Sequence, residues 1–91
     1  MKPFIIHNSQ RIERYEHLYH QLVQQKITDF ELVPAVMHQN PITGCAHSHK
    51  RIVLEAIKRG LKQVLAFEDD IVFTHRDSWA YFLAGLAQLP P

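Results

Sequence analysis

The chain has 91 residues, 46% of them hydrophobic, and a formal charge of +1. That is enough for one small globular domain, and so balanced a charge offers no field for nucleic acid or a membrane surface. A single cysteine excludes an internal disulfide and fits a reducing compartment.

No apolar run approaches the roughly 20 residues of a membrane span. Met1-Lys2-Pro3-Phe4 lacks the apolar core of a signal peptide, so a soluble cytoplasmic protein is expected. Seven histidines are scattered at 7, 17, 20, 38, 47, 49 and 75. They form no tract, so composition alone implies no metal store.

Phe4-Ile5-Ile6 has the character of a short buried strand, and Asn8 or Ser9 offers an N-cap after it. Ile12, Tyr15, Leu18, Tyr19, Leu22 and Val23 then recur at spacings of three and four. That predicts an amphipathic helix over roughly 9–25, with Tyr15 and Tyr19 packed in the core and Arg11 and Arg14 on the outer faces. Asp29-Phe30-Glu31-Leu32-Val33 alternates as a half-exposed strand does, and Pro34 marks it as an edge. Residues 35–43 are expected to be a loop, with Asn40-Pro41 as its turn.

Ser48 is a candidate N-cap for a second helix over roughly 49–59, with Ile52, Val53, Ala56 and Ile57 as its buried stripe and Gly60 at C′. A strand over 64–67 follows, and its Val, Leu and Phe suit burial on both faces. Asp77 or Ser78 can cap a third helix in which Trp79, Phe82, Leu83 and Leu86 share a face, stopped by Pro90-Pro91. Strand and helix alternate three times, the pattern of an α/β fold with a mainly parallel sheet. The favoured layout has the first strand central, the second on one side and the third on the other. Ligands in such sheets bind beyond the carboxyl ends of the strands where the order reverses. His7, Asn8 and Ser9 after the first strand would share that crevice with Glu68, Asp69 and Asp70 after the third.

Three consecutive carboxylates cannot sit unpaired inside a strand, so they are expected at its end facing water, a cation or a partner. In extended chain Glu68 and Asp70 project to one side and Asp69 to the other. That suits a hard cation such as Mn²⁺ or Mg²⁺, whose remaining positions water or phosphate oxygens fill. A solvated acidic turn is the plainer alternative. Cys45, His47 and His49 invite a zinc reading, opposed by the lack of a second cysteine. The plainer view of that segment has Gly44 permitting a close turn, Cys45 buried and Ser48 capping the helix, with His49 free to face the crevice.

Gly44-Cys45-Ala46-His47-Ser48-His49, about twenty residues and then Leu65-Ala66-Phe67-Glu68-Asp69-Asp70 resembles glycosyltransferase family 25. That family includes bacterial lipopolysaccharide glycosyltransferases and collagen galactosyltransferases. The likeness extends to the first strand, to the Glu13-Arg14 helix and to Leu32-Val33-Pro34-Ala35-Val36. One departure is Ile6-His7-Asn8 where the family has Ile-Asn-Leu: either Asn8 is shifted by a one-residue deletion or His7 replaces the Asn.

The resemblance implies a Rossmann-like, three-layer GT-A-type fold, with residues 1–91 forming the N-terminal half of such a domain. It implies transfer of a sugar, often galactose from UDP-galactose, to a saccharide or lipooligosaccharide acceptor, at the inner membrane face. His7, Asn8, Ser48 and His49 would then contact the nucleotide sugar, and Glu68, Asp69 and Asp70 would hold Mn²⁺ or Mg²⁺ on its diphosphate. A half domain would leave an edge and an apolar face uncovered, so self-association is expected. The competing expectation is a non-catalytic α/β module that binds a partner through a sheet edge or the Trp79 helix.

Overall fold

The computed structural model describes residues 1–89; the Pro90-Pro91 stop signal lies outside them. Strands β1 (Phe4–His7), β2 (Glu31–Pro34) and β3 (Ala66–Glu68) alternate with helices α1 (Ile12–Gln24), α2 (Pro41–Lys58) and α3 (Ser78–Ala87). The sheet is parallel in the order β2-β1-β3, so β1 is central as its unbroken apolar run requires. Ile6 pairs with Glu68 and His7 with Pro34, which brings the carboxyl ends of all three strands to one rim.

Alternation along β1 sorts its side chains onto two faces. Ile5 packs with Leu18 and Leu22 of α1, Ile27 and Trp79 of α3. Phe4 and Ile6 pack with Ile52 of α2 on the other face. The result is three layers, with α1 and α3 on one side of the sheet and α2 on the other. Trp79 is only 8% exposed and stacks on Phe82, so it anchors α3 to the core, while Tyr81 and Phe82 of the same helix stay exposed.

Several expected boundaries shift. β3 is an edge strand, so Ala66 and Phe67 are half-buried and Val64 lies exposed ahead of it; burial on both faces belongs to β1 alone. α1 starts at Ile12, after an Asn8 side chain that accepts from the Gln10 N–H and so shapes the loop instead of capping the helix. Only Leu18 and Leu22 of its apolar stripe are buried, whereas Tyr15 and Tyr19 are exposed.

The largest shift is in α2, which begins eight residues early. Asn40 caps it, its side-chain oxygen accepting from the Ile42 and Thr43 N–H groups, and Pro41 occupies the first turn with its φ already helical. The Asn-Pro pair is thus a helix start. Ser48 lies inside the helix, 1% exposed, where its hydroxyl donates to the Gly44 carbonyl and accepts from the Val36 N–H. Ile52 and Ala56 are buried as expected, but Val53 and Ile57 are not. Gly60 closes the helix at φ 70°, as a C′ glycine should.

Arg59, just past α2, donates to both Glu31 oxygens at 2.8 Å and to Glu55 at 2.9 Å, with its guanidinium over the Phe4 ring. This holds the end of α2 to the edge strand. The hydrogen bonds from Arg59 depress the Glu31 pKa below its ordinary 4.5. A folded value below the unfolded one means the stabilisation is present above pH 4.5 and is lost as pH falls through the folded value. Arg59→Gln should therefore lower the melting temperature at neutral pH, and the gap from wild type should close in acid. Thermal melts across a pH series check this; a gap that does not change with pH would exclude the assigned pair.

Gly44 carries a second expectation. A Cβ there would lie 2.7 Å from the Val36 backbone oxygen, which cannot swing aside. Overpacking of this kind costs about 1–3 kcal/mol, against at most about 1 kcal/mol of helix propensity gained from alanine. Gly44→Ala is expected to lose about 1–2 kcal/mol of stability in urea unfolding.

Candidate functional site

A crevice of about 370 Å³ opens at the carboxyl rim of the sheet. Asn8 after β1, Ala35 and Val36 after β2, Glu68 and Asp69 at the end of β3, and Gly44, Cys45 and Ser48 of α2 line it, with Arg11 and Arg14 at its edge. The order β2-β1-β3 makes this the switch point of the sheet. A larger depression of about 690 Å³ lies elsewhere, among Lys2, Phe4, Arg59 and Leu61. It brings together no set of convergent catalytic or ligating groups, and Arg59 is already committed to two glutamates. The smaller crevice is the one that gathers ionisable and ligating side chains.

The three acids part company. The chain turns after Glu68, with the Ile71 N–H donating to the Glu68 carbonyl, so Asp69 and Asp70 are not extended strand. Asp69 points inward and is 3% exposed. Its Oδ2 accepts from the Asn8 N–H at 3.0 Å and lies 3.1 Å from His7 Nδ1, and its Oδ1 accepts from Arg14 Nη1 at 3.3 Å. The expectation that all three acids face outward fails for this one: it is buried because three partners satisfy it. Glu68 and Asp70 remain exposed.

Cys45 and His49 face the rim from α2. The Cys45 thiol donates to Glu68 Oε1 at 3.4 Å, and ligating atoms of Cys45, His49 and Glu68 all lie within 4.8 Å of one another. Cys45 is half-buried, not the fully buried residue expected. Its hydrogen bond to Glu68 raises the thiol pKa, with burial and the charges of Glu68 and Asp70 adding to the shift. A thiol held protonated in this way is a poor nucleophile. His47 points elsewhere, its ring edge-on to His38 at 6.3 Å between centroids.

Of the residues expected in a nucleotide-sugar site, Asn8 and Ser48 line the crevice, His7 contacts Asp69, and His49 approaches Glu68. The Ser48 hydroxyl is already engaged on both sides by backbone groups. The residue that sequence reasoning missed is Arg14. The helical periodicity places it on an outer face of α1, yet it lies one turn beyond the first loop and reaches back to Asp69 at the strand ends.

No family model matches the chain, and neither a curated protein nor a solved structure matches it at a significant level.

Asp69 should matter for folding more than its neighbours. Hydrogen bonds to a charged group contribute about 1.5–3 kcal/mol, whereas surface changes stay within about 0.5 kcal/mol. Asp69→Ala is expected to destabilise the chain by about 2–3 kcal/mol and Asp70→Ala hardly at all. Urea unfolding of the two variants side by side checks the order; equal losses would contradict the hub geometry.

Proposed function

We propose that this chain binds a nucleotide sugar and belongs to a glycosyltransferase of the GT-A, family 25 type. On this reading it supplies the donor and metal site for transfer of a hexose, galactose being the favoured sugar, to a saccharide or lipooligosaccharide acceptor. One observation carries the reading. The crevice at the switch point is bordered by the first loop and by Glu68 and Asp69 at the end of β3; Asp69 locks those segments together, and Glu68 and the adjacent Asp70 are exposed to solvent.

The donor set fits Mn²⁺ or Mg²⁺. Two exposed carboxylates on one turn match the few protein ligands such ions take beside water and phosphate oxygens. Glu68 and Asp70 would hold the ion, and Asp69 would act through the backbone by fixing the turn that carries them. When bound, the ion supplies neutralisation of the charge that builds on the leaving diphosphate. Asn8 and the loop after β2 would border the nucleotide, and Arg11 and Arg14 would offset its negative charge. His7 and His49 stand beside the two acids that frame the site.

Without metal, the carboxylates and a diphosphate repel one another, so the two ligands should bind with positive coupling. Coupling between sites is typically about 1–3 kcal/mol and must be reciprocal. Calorimetric titration with UDP, with and without Mn²⁺, is expected to show it, and Asp70→Ala to remove most of it. UDP binding indifferent to Mn²⁺ would overturn the assignment.

A further inference from the structure

The donor-site reading gives Glu68 an ion but gives Cys45 and His49 opposite it no ligating role, so the two sites share one carboxylate. On a helix, residues four apart are offset by only about 40°, whereas those two apart are nearly opposed. So Cys45 and His49 share the face of α2 turned to the end of β3, and His47 turns away to His38. Glu68, and not His47, stands as the third group of the cluster.

We propose that Cys45, His49 and Glu68 form a binding site for a thiophilic divalent cation of the zinc class, with its fourth position open toward the crevice. A sulfur, an imidazole nitrogen and a carboxylate oxygen are the three donor types zinc accepts, and magnesium or manganese prefers oxygen alone. Zinc bond lengths of about 2.0–2.3 Å place tetrahedral ligands roughly 3.3–3.7 Å apart. Cys45 Sγ and Glu68 Oε1 already stand at 3.4 Å, and no pair in the cluster exceeds 4.8 Å. The remaining closure is within the swing of the exposed Glu68 side chain.

Two of the ligands come from a rigid support. Gly44 lies against the Val36 carbonyl, and Ser48 bonds the Val36 N–H, so the turns of α2 around Cys45 and His49 are clamped on both sides. Cys45 and Glu68 line the crevice, so the open position faces a cavity and not the protein interior. Three protein ligands with one open position is the arrangement of zinc sites that bind an exchangeable ligand. On binding, the Cys45 S–H bond breaks, its proton passes to solvent, and the sulfur–metal bond forms.

Cobalt(II) is the probe, titrated into the untagged 91-residue chain under reducing conditions and followed by absorption. One cobalt per chain is expected, with a thiolate-to-metal charge-transfer band that one equivalent of zinc removes. Cys45→Ser should abolish the band. His49→Ala and Glu68→Gln should weaken binding by at least about tenfold, the lower end of what even outer-shell changes cause. His47→Ala should leave it unchanged. His49 is not packed in the core, so His49→Ala still decides the matter if Cys45→Ser fails to give a folded circular-dichroism spectrum. A wild-type chain without the band, or His49→Ala binding as tightly as wild type, would overturn the site. The donor-site reading fails separately. Asp70→Ala should keep the cobalt band while losing the UDP–Mn²⁺ coupling, and Cys45→Ser should do the reverse.

Discussion

The rim of this fold depends on one buried carboxylate. Asp69 receives a backbone N–H from the first loop, stands beside the His7 ring and accepts from Arg14 of α1. β3 is only three residues long and pairs with β1 on one side, so its ladder alone is a weak tie. The carboxylate adds a second attachment at the point where the chain must turn. It also explains how an acid tolerates 3% exposure: each oxygen has a donor, and one of the partners is cationic. Because Asp69 is turned inward, its two neighbours are turned out, and the acidic character of the rim follows from a structural bond.

The opposite wall is set by packing. α2 approaches the segment after β2 closely enough that only glycine fits at 44, and Ser48 replaces a strand-type partner for the Val36 N–H. A helix seated by a backbone contact and a buried hydroxyl does not slide. The side chains it carries toward Glu68 are therefore presented from a fixed frame, which is what a small constellation of ligating groups requires.

Away from the rim the core is thin. Among the described residues nine hydrophobic side chains of the core are buried, while Ile12, Tyr19 and Val23 of α1 and Val53, Leu54 and Ile57 of α2 stay exposed. Each helix meets the sheet along a narrow line, and a chain this short has little material to cover the flanks of that line. Polar anchoring then carries more weight. The Gln25 side chain, buried beneath α3, accepts from the Trp79 N–H and donates to the His75 carbonyl. His17 bonds the Ile71 carbonyl and Gln21 the Phe73 N–H, so α1 satisfies the backbone of the long connection to α3.

Much of this was legible in the residues themselves. The apolar run of β1, the edge signal of Pro34, the glycine after α2 and the alternation of element types determine a three-stranded parallel sheet in the order β2-β1-β3, because each is a local preference that topology rules then combine. They also determine where a crevice must open. What they could not determine is which polar groups meet. Asn40-Pro41 signals a turn or a helix start equally well, and only the contact of Gly44 with Val36 shows that the helix already runs there. Three adjacent acids look alike in sequence, and Asp69 differs only because His7, Asn8 and Arg14 come from distant positions to receive it. Glu68 joins Cys45 and His49 for the same reason. Local periodicity encodes which way a segment folds, but partners separated by 19 to 62 residues are chosen by the packing of whole elements, and that choice exists only in the tertiary structure.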